Sequence, residues 1–475
     1  MAYVSVRSAL ECCPVVSWAG LVTGIINAVR ATKWDRKTVL KHQQERFKDI
    51  LAHVLTHSPF YKTLYAQHGI GLKDIGDLQL QDLPVIDKAM MMDNYDEFVC
   101  DRRLNKKELE AFLLDPANLG KKFKRCFTVM HSSGSTGRPG IFVYDVDAWN
   151  LTKSLAITRV SRIRFNRFGR QRLAFIGAAD GLYAGISLVS DAPGFLYNFK
   201  PFPVCEPWDL LLEHIQAFSP DIISGYSSSV YMLALEQIKG NLSLHPARII
   251  CSADPLTAYM REAVKDAFRV EPVNFYASSE SLCMAAECLE HDGLHMNEDW
   301  NIFEVEDGAV GNVRYGSLIL TTLFNRAQPL IRYRMEDHVT VTSEPCACGS
   351  AYHRIMSIGG RSEDFLYFKL SDGKTAFIHP SEIVEFFVPG LEKFQLRQVE
   401  PLHLHMLLVT SGDAASVREA AQRRMHKLLV SCGLEKAVRF TTECVDEIPL
   451  DSRTGKFRLV IPFEEGTESM GTAGK

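Results

Sequence analysis

The sequence contains no internal repeat, no low-complexity run and no long unbroken apolar segment. The most apolar early stretch, Pro14 to Val29, covers about 16 residues and includes Ser17, Trp18, Thr23 and Asn27, whereas a membrane-spanning helix needs about 20 apolar residues. No transmembrane span is expected. Only Arg7 precedes the stretch and no small-residue cleavage site is obvious, which argues against a signal peptide. A helix packed on the domain surface is the expectation for residues 14–29, with a helix on a membrane surface as the alternative. Charge of one sign is scarce as well. Formal net charge is −4 over 475 residues, so the chain lacks the basic field of a nucleic-acid binder. Its 12 cysteines are spread from Cys12 to Cys444, too thinly for a disulfide scaffold in a chain that builds its own core. A reducing cytoplasm is the expected compartment. The Gly/Ser/Thr-dense run at 132–140 contains no Gly-Lys-Ser/Thr, which argues against a Walker-type kinase or ATPase.

What is present is an ordinary globular composition, 46% hydrophobic and 23% charged, long enough for two or three domains. Val39, Phe47, Ile50, Leu51, Val54 and Leu55 recur at helix spacing within residues 31–70. A helix is expected to reopen near Asp87, after the Pro84 loop. Residues 126–130 and 141–144 read as short strands flanking a run dense in Gly, Ser and Thr. Strands and helices then alternate: 173–176, helix 208–218, 221–224, helix 228–238, 248–251, helix 257–268 and 273–276. Such alternation predicts βαβ units and a mostly parallel sheet with helices on both faces. Ligands then sit at the carboxyl ends of the strands. Residues 315–341 carry a more continuous β pattern. After Glu363 a hairpin (393–399 and 402–409), a helix (413–430) and a strand (436–444) suggest a small separate domain.

The motifs fall just after predicted strands. Ser132-Ser133-Gly134-Ser135-Thr136-Gly137-Arg138-Pro139-Gly140 offers glycines that let backbone approach a ligand and N–H groups and hydroxyls that form an anion nest. In order along the chain follow Ser252-Ala253-Asp254-Pro255-Leu256, Tyr276-Ala277-Ser278-Ser279-Glu280, Gln328-Pro329-Leu330-Ile331-Arg332-Tyr333-Arg334-Met335-Glu336-Asp337, Gly359-Gly360-Arg361-Ser362-Glu363-Asp364 and Asp451-Ser452-Arg453-Thr454-Gly455-Lys456-Phe457-Arg458.

This series resembles the adenylate-forming superfamily of acyl-CoA synthetases, adenylation domains and luciferases. Within it the series is most similar to the phenylacetate–CoA ligase branch, including capsule-biosynthesis-type relatives. The resemblance implies an α/β fold: a large domain (1–362) of parallel or mixed sheets with flanking helices, and a small α+β C-terminal domain (363–475) on a hinge at Glu363. It implies that loop 132–138, namely Ser132, Ser133, Gly134, Ser135, Thr136, Gly137 and Arg138, holds the phosphates of ATP. The turn at Ala253 and Asp254 lies against adenine. Tyr276, Ala277 and Ser279 line the nucleotide, Glu280 holds Mg²⁺, Asp337 accepts from the ribose hydroxyls, and Arg361 touches ribose or phosphate. Lys456 is the implied catalytic residue for adenylation, together with Glu280. The chain departs from the family where Arg138 replaces a lysine and where Ala277 replaces a glycine. Arginine and lysine are not interchangeable on phosphate. The implied substrates are ATP and a small carboxylic acid, an aryl or arylacetic acid foremost. The implied acceptor is CoA, an amine or a carrier protein, and the implied assembly is a homodimer. A non-catalytic nucleotide-binding relative is the reading from a different class.

Cys288, His295, Cys346 and Cys348 form a Cys₃His set suited to structural zinc, and similar segments occur in the same branch. Glu287 and Glu290 are competing carboxylates nearby. Arg332 and Arg334 read equally well as a structural ion-pair set. His131 and Tyr226 are open between an acid pocket and the core.

Overall fold

The computed structural model describes residues 14–132, 140–161, 169–179, 181–306, 308–359, 366–370, 375–378, 382–383, 386, 388–411, 413–449 and 458–463. Internal contacts separate two compact units. One takes the described residues up to Ser132, Gly140–Pro203 and Leu212–Arg361; the other takes those of Val204–Leu211 and Ser362–Lys475.

The first unit opens with α1 (Pro14–Ala31), α2 (Arg36–His57), α3 (Pro59–Gln67) and α4 (Lys88–Asp93). Residues 31–70 thus form separate helices, with a break at Ser58-Pro59. Ser58 N donates to Val54 O at 2.9 Å, closing α2, while its Oγ accepts from Tyr61 N at 3.3 Å, opening α3. Pro59 favours the first position of a helix and cannot continue the preceding one. Asp87 caps α4 through Met90 N at 2.8 Å.

A small hairpin, β1 (Thr128–His131) and β2 (Ile141–Tyr144), flanks the Gly/Ser/Thr run. It is followed by α5 (Val146–Leu155). The main sheet has 12 strands. Its first half runs β4 (Tyr197–Pro203), β3 (Gln171–Gly177), β5 (Ile222–Tyr226), β6 (Arg248–Ser252) and β7 (Val273–Tyr276), all parallel. Helices α6 (Trp208–Phe218), α7 (Ser227–Ile238) and α8 (Ala258–Phe268) fall in the crossovers. The parallel reading holds over this stretch only. Beyond β7 every pairing is antiparallel. The order continues β8 (Ala285–Glu287), β9 (Leu294–Met296), β14 (Arg354–Gly359), β13 (Tyr333–Thr342), β12 (Val313–Thr322) and β10 (Asn301–Val305), with β11 (Gly308–Val310) on β12. Loops between β7, β8 and β9 are too short for the crossover a parallel pair needs. The β14–β9 junction is a narrow seam within the antiparallel half, with two residue pairs, Arg354↔His295 and Ile355↔Leu294, as is the two-pair β7–β8 junction.

In the second unit, β15 (Leu366–Lys369) pairs β16 (Thr375–Ile378). A four-stranded sheet is built from β17 (Leu391–Glu400), β18 (His403–Thr410), β19 (Arg439–Cys444) and β20 (Val460–Ile461), with α9 (Ala414–Ser431) between β18 and β19. Phe368, Phe394, Leu396, Leu404, Met406, Met425 and Leu428 are fully buried in its core. Among the described residues no helix is long and apolar enough to cross a membrane.

Candidate active site and metal centre

The described motif residues lie at or beside strand ends of the first unit, with Asp337 on β13. Ser132 follows β1, Ala253 and Asp254 follow β6, and Tyr276 ends β7. Residues 133–139, 360–365 and 451–457 lie outside the described residues. So Ser133, Gly134, Ser135, Thr136, Gly137, Arg138, Arg361, the hinge Glu363 and Lys456 are not placed by it.

Ser132 closes the mouth of the Gly/Ser/Thr run. Its N–H donates to Gly140 O and its buried Oγ accepts from Gly140 N, both at 2.8 Å. A Cβ on Gly140 would stand 2.8 Å from the Phe142 ring and 3.2 Å from Ser132 Oγ, so only glycine fits this clasp. Ser132 therefore sets the loop's ends.

Ala253 adopts φ 72°, a left-handed conformation rare for a residue with a Cβ. The turn sends the Asp254 carboxylate to the start of α7. Ser227 N donates to Asp254 Oδ1 at 2.5 Å and Ser228 N to Oδ2 at 3.1 Å, and Ser228 Oγ donates to the same Oδ2. Burial pushes the Asp254 carboxyl up, against the hydrogen bonds from Ser228 and Ser227 that favour its charged form. An acceptor at orphan helix N–H groups is a cap, so this carboxylate organises the turn.

Tyr276 Oη donates to Asp337 Oδ2 at 2.6 Å. This joins β7 in the parallel half to β13 in the antiparallel half. Asp337 is buried, and a carboxylate has several acceptor positions. The turn after Tyr276 is pinned to the hairpin. Tyr144 Oη donates to Ser279 O at 2.9 Å, and Ser279 Oγ to His131 O at 3.3 Å. The turn presents Glu280, half-buried, with Tyr333 Oη 3.4 Å from its Oε1. Burial raises the Glu280 carboxyl, and the Lys88 ammonium opposes that shift. Lys88 itself pairs with Glu336 at 2.6 Å. Sequence reasoning missed Lys88. Its only local signal was the Asp87 cap, which places it in the first turn of α4 but says nothing of what it faces.

Arg332 and Arg334 are structural. Arg332 Nε donates to Glu304 Oε2 at 3.1 Å, and its Nη1 to the carbonyls of Gln81 (3.2 Å) and Leu83 (2.5 Å). Arg334 pairs with Glu306 at 2.7 Å. Gln328 serves β2: Val143 N donates to its Oε1 at 2.7 Å, and its Nε2 donates to Ile141 O at 2.9 Å. His131 and Tyr226 are buried. His131 meets Tyr183 edge-on at 4.8 Å, and Tyr226 Oη accepts from Ala178 N at 3.1 Å.

The Cys₃His set converges. Ligand atoms of Cys288, His295, Cys346 and Cys348 all lie within 4.8 Å of one another. Cys288 Sγ is 3.7 Å from Cys346 Sγ, and Cys348 Sγ is 3.2 Å from His295 Nε2. A tetrahedral ion with ~2.3 Å metal–sulfur bonds sets edges of about 3.8 Å, so the donors fit zinc. His295 Nδ1 lies 3.1 Å from Tyr352 O, which leaves Nε2 as the nitrogen that faces the cysteine sulfurs. Gly349, at φ 77°, turns its N–H back to Cys346 O at 3.0 Å. The nearby Glu287 is engaged elsewhere, with Arg261, His291 and Asn274 N. The four donors bracket the β14–β9 seam. Cys288 directly follows β8, His295 lies on β9, and Cys346 and Cys348 precede β14.

No family model matches the chain. Among curated proteins it is 29% identical over 345 residues to a phenylacetate-coenzyme A ligase of Thermus thermophilus, covering 68% of this chain and 70% of that one. It is 23% identical over 442 residues to Protein CapK of Staphylococcus aureus, covering 88% of each. These relatives support the resemblance to the adenylate-forming superfamily and its phenylacetate–CoA ligase branch. Solved structures agree on the fold. 2-Hydroxyisobutyryl-CoA ligase with 2-HIB-AMP and CoA, in its thioesterification state, aligns over 92% of both chains at TM-score 0.58 and 20% identity. An open conformation of that ligase aligns over 88% of this chain and 90% of the other at TM-score 0.54.

Proposed function

We propose that this adenylate-forming ligase activates a small carboxylic acid with ATP, releases pyrophosphate, and passes the acyl group from acyl-AMP to the thiol of CoA. An aryl or arylacetic acid is the proposed substrate. The convergence of Tyr276, Glu280 and Asp337 at the strand ends, on a chain related to phenylacetate-coenzyme A ligases, carries this reading.

Loop 132–138 cradles the phosphates with backbone N–H groups, and Asp337 orients the ribose. Glu280 would hold a hard cation such as Mg²⁺, which would supply charge neutralisation for the triphosphate. The substrate carboxylate attacks the α-phosphorus in line. Lys456 stabilises the charge that builds on the carboxylate and α-phosphate. Positioning and electrostatics supply the acceleration, without a protein nucleophile. Residues 363–475 form the mobile domain, hinged at Glu363, which withdraws Lys456 before the thiol attacks. Cys288, His295, Cys346 and Cys348 hold a structural zinc.

Pyrophosphate release should be measured against aryl, arylacetic, fatty and amino acids, with and without CoA. Release dependent on one acid and completed to a thioester by CoA is the expected result. Acid-dependent release to which CoA adds nothing would shift the acceptor to an amine or carrier protein. No release with any acid, while ATP still binds, would favour a non-catalytic relative.

A further inference from the structure

Helix α1 has two unlike faces. On one, Leu21, Ala28 and Ala31 are buried. Gly20 and Gly24 let it lie close along α5. A Cβ on Gly24 would stand 2.4 Å from Ser154 Oγ, and one on Gly20 3.0 Å from Asn150 Nδ2. Ser154 Oγ lies 3.1 Å from Leu21 O, and Tyr352 Oη donates to Ala31 O at 3.0 Å. Small residues four apart and two hydrogen bonds thus fix the helix to the body of its unit.

The other face is apolar and open to solvent. Trp18 is 45% exposed, Val22 52%, Ile26 46% and Val29 48%. At 100° per residue these four fall within an arc of about 80°. Phe195, 61% exposed, extends the strip from a neighbouring loop, its ring 5.2 Å from that of Trp18. Thr23, Asn27 and Arg30 form a polar flank beside the stripe. No acidic residue occurs between Trp18 and Trp34, while Arg30 and Lys33 are exposed at the helix's end.

We infer that this face of α1 is a docking surface for an anionic membrane, on which the helix lies in the plane of the interface. The five apolar side chains expose roughly 500 Å², taking ~150–250 Å² for a whole large side chain. A patch of that size marks an interaction site. It equals the apolar share of the about 800 Å² that each partner of a stable dimer buries, so area does not separate a membrane from a second copy, and the basic residues beside the stripe favour the membrane. An aromatic pair at one end suits the headgroup boundary. Arg30 and Lys33 complement anionic headgroups. Helices of this kind bind by burying one apolar face without spanning the bilayer.

The test is cosedimentation of the full chain with phosphatidylcholine vesicles, with and without phosphatidylglycerol. The W18S/I26S variant should lose at least about tenfold in partitioning. The R30E/K33E variant should lose binding to the anionic vesicles and change nothing on phosphatidylcholine alone. F195S, in the loop, tests the same strip without touching the helix, and thermal unfolding checks that each variant folds. The inference is overturned if the wild-type chain binds no vesicle, or if W18S/I26S and F195S both bind as the wild type does. It is equally overturned if sedimentation velocity finds a dimer that W18S/I26S dissociates, because the face then meets a second copy.

Discussion

Ala253 is the clearest case of a single residue bearing a local strain. Its φ of 72° is needed for Asp254 to reach the start of α7, and a Cβ makes that conformation costly. Ala253→Gly should therefore stabilise the protein by about 0.5–1 kcal/mol, read as a higher denaturant midpoint. An unchanged or lower midpoint would mean that the turn holds no strain. A second prediction concerns Asp191. Its Oδ2 accepts from Lys122 Nζ at 2.9 Å, from Lys153 Nζ at 3.4 Å and from Trp149 Nε1. Burial alone would raise this carboxyl, but the two ammonium groups hold it below the ordinary value of 3.8. A carboxylate depressed on folding adds stability above its unfolded value, and that stability is lost as pH falls through the folded value. Asp191→Asn should cost about 1–3 kcal/mol at neutral pH. The gap between variant and wild type should close in acid, below about pH 4. A gap that stayed constant to the lowest pH would rule out the ion-pair account. Such pairs were not legible in the sequence, since Lys122, Lys153 and Asp191 are separated by more than one element.

At the scale of elements, local signals carried far. The helix at 208–218 and the strands at 141–144 and 273–276 form with the limits their patterns suggest, because apolar periodicity and flanking Gly, Pro and Ser are local properties. The short strands β8, β9 and β10 were not read from the sequence, since they carry no continuous apolar run of the kind at 141–144. Their antiparallel pairing is a matter of tertiary contact. The seam they form gives the metal centre its expected role. With two residue pairs at the β14–β9 junction, four ligands add a cross-link that the ladder lacks. Cys346→Ser should reduce bound zinc from near one equivalent to below about a tenth and lower the unfolding temperature. It should also weaken ATP binding, because the Tyr276–Asp337 bond spans the two halves of the sheet. Full ATP affinity in the metal-free variant would disconnect the centre from the site.

For the whole molecule, the proposed two-step chemistry turns on residue 456, which lies outside the described residues. Lys456→Ala should lose about 10²-fold or more in adenylation while still transferring the acyl group from a supplied acyl-adenylate to CoA. Equal loss of both half-reactions would argue against domain alternation. The sequence by itself determined the motif series, the four residues of the Cys₃His cluster, and most strands and helices of the parallel half, though not the edge strand β4 (Tyr197–Pro203). These are readable because each depends on residues close in the chain or on chemistry borne by one residue type. Only the tertiary structure decided three other things. It committed Arg332 and Arg334 to ion pairs and Asp254 to a helix cap, brought Lys88 into electrostatic reach of Glu280, and joined the parallel and antiparallel halves through the β7–β8 pairing and the Tyr276–Asp337 bond. Each depends on which distant groups share a desolvated space, where an unpaired charge is costly and a partner must be found. Pairing of that kind is set by packing across the fold, and no local pattern encodes it.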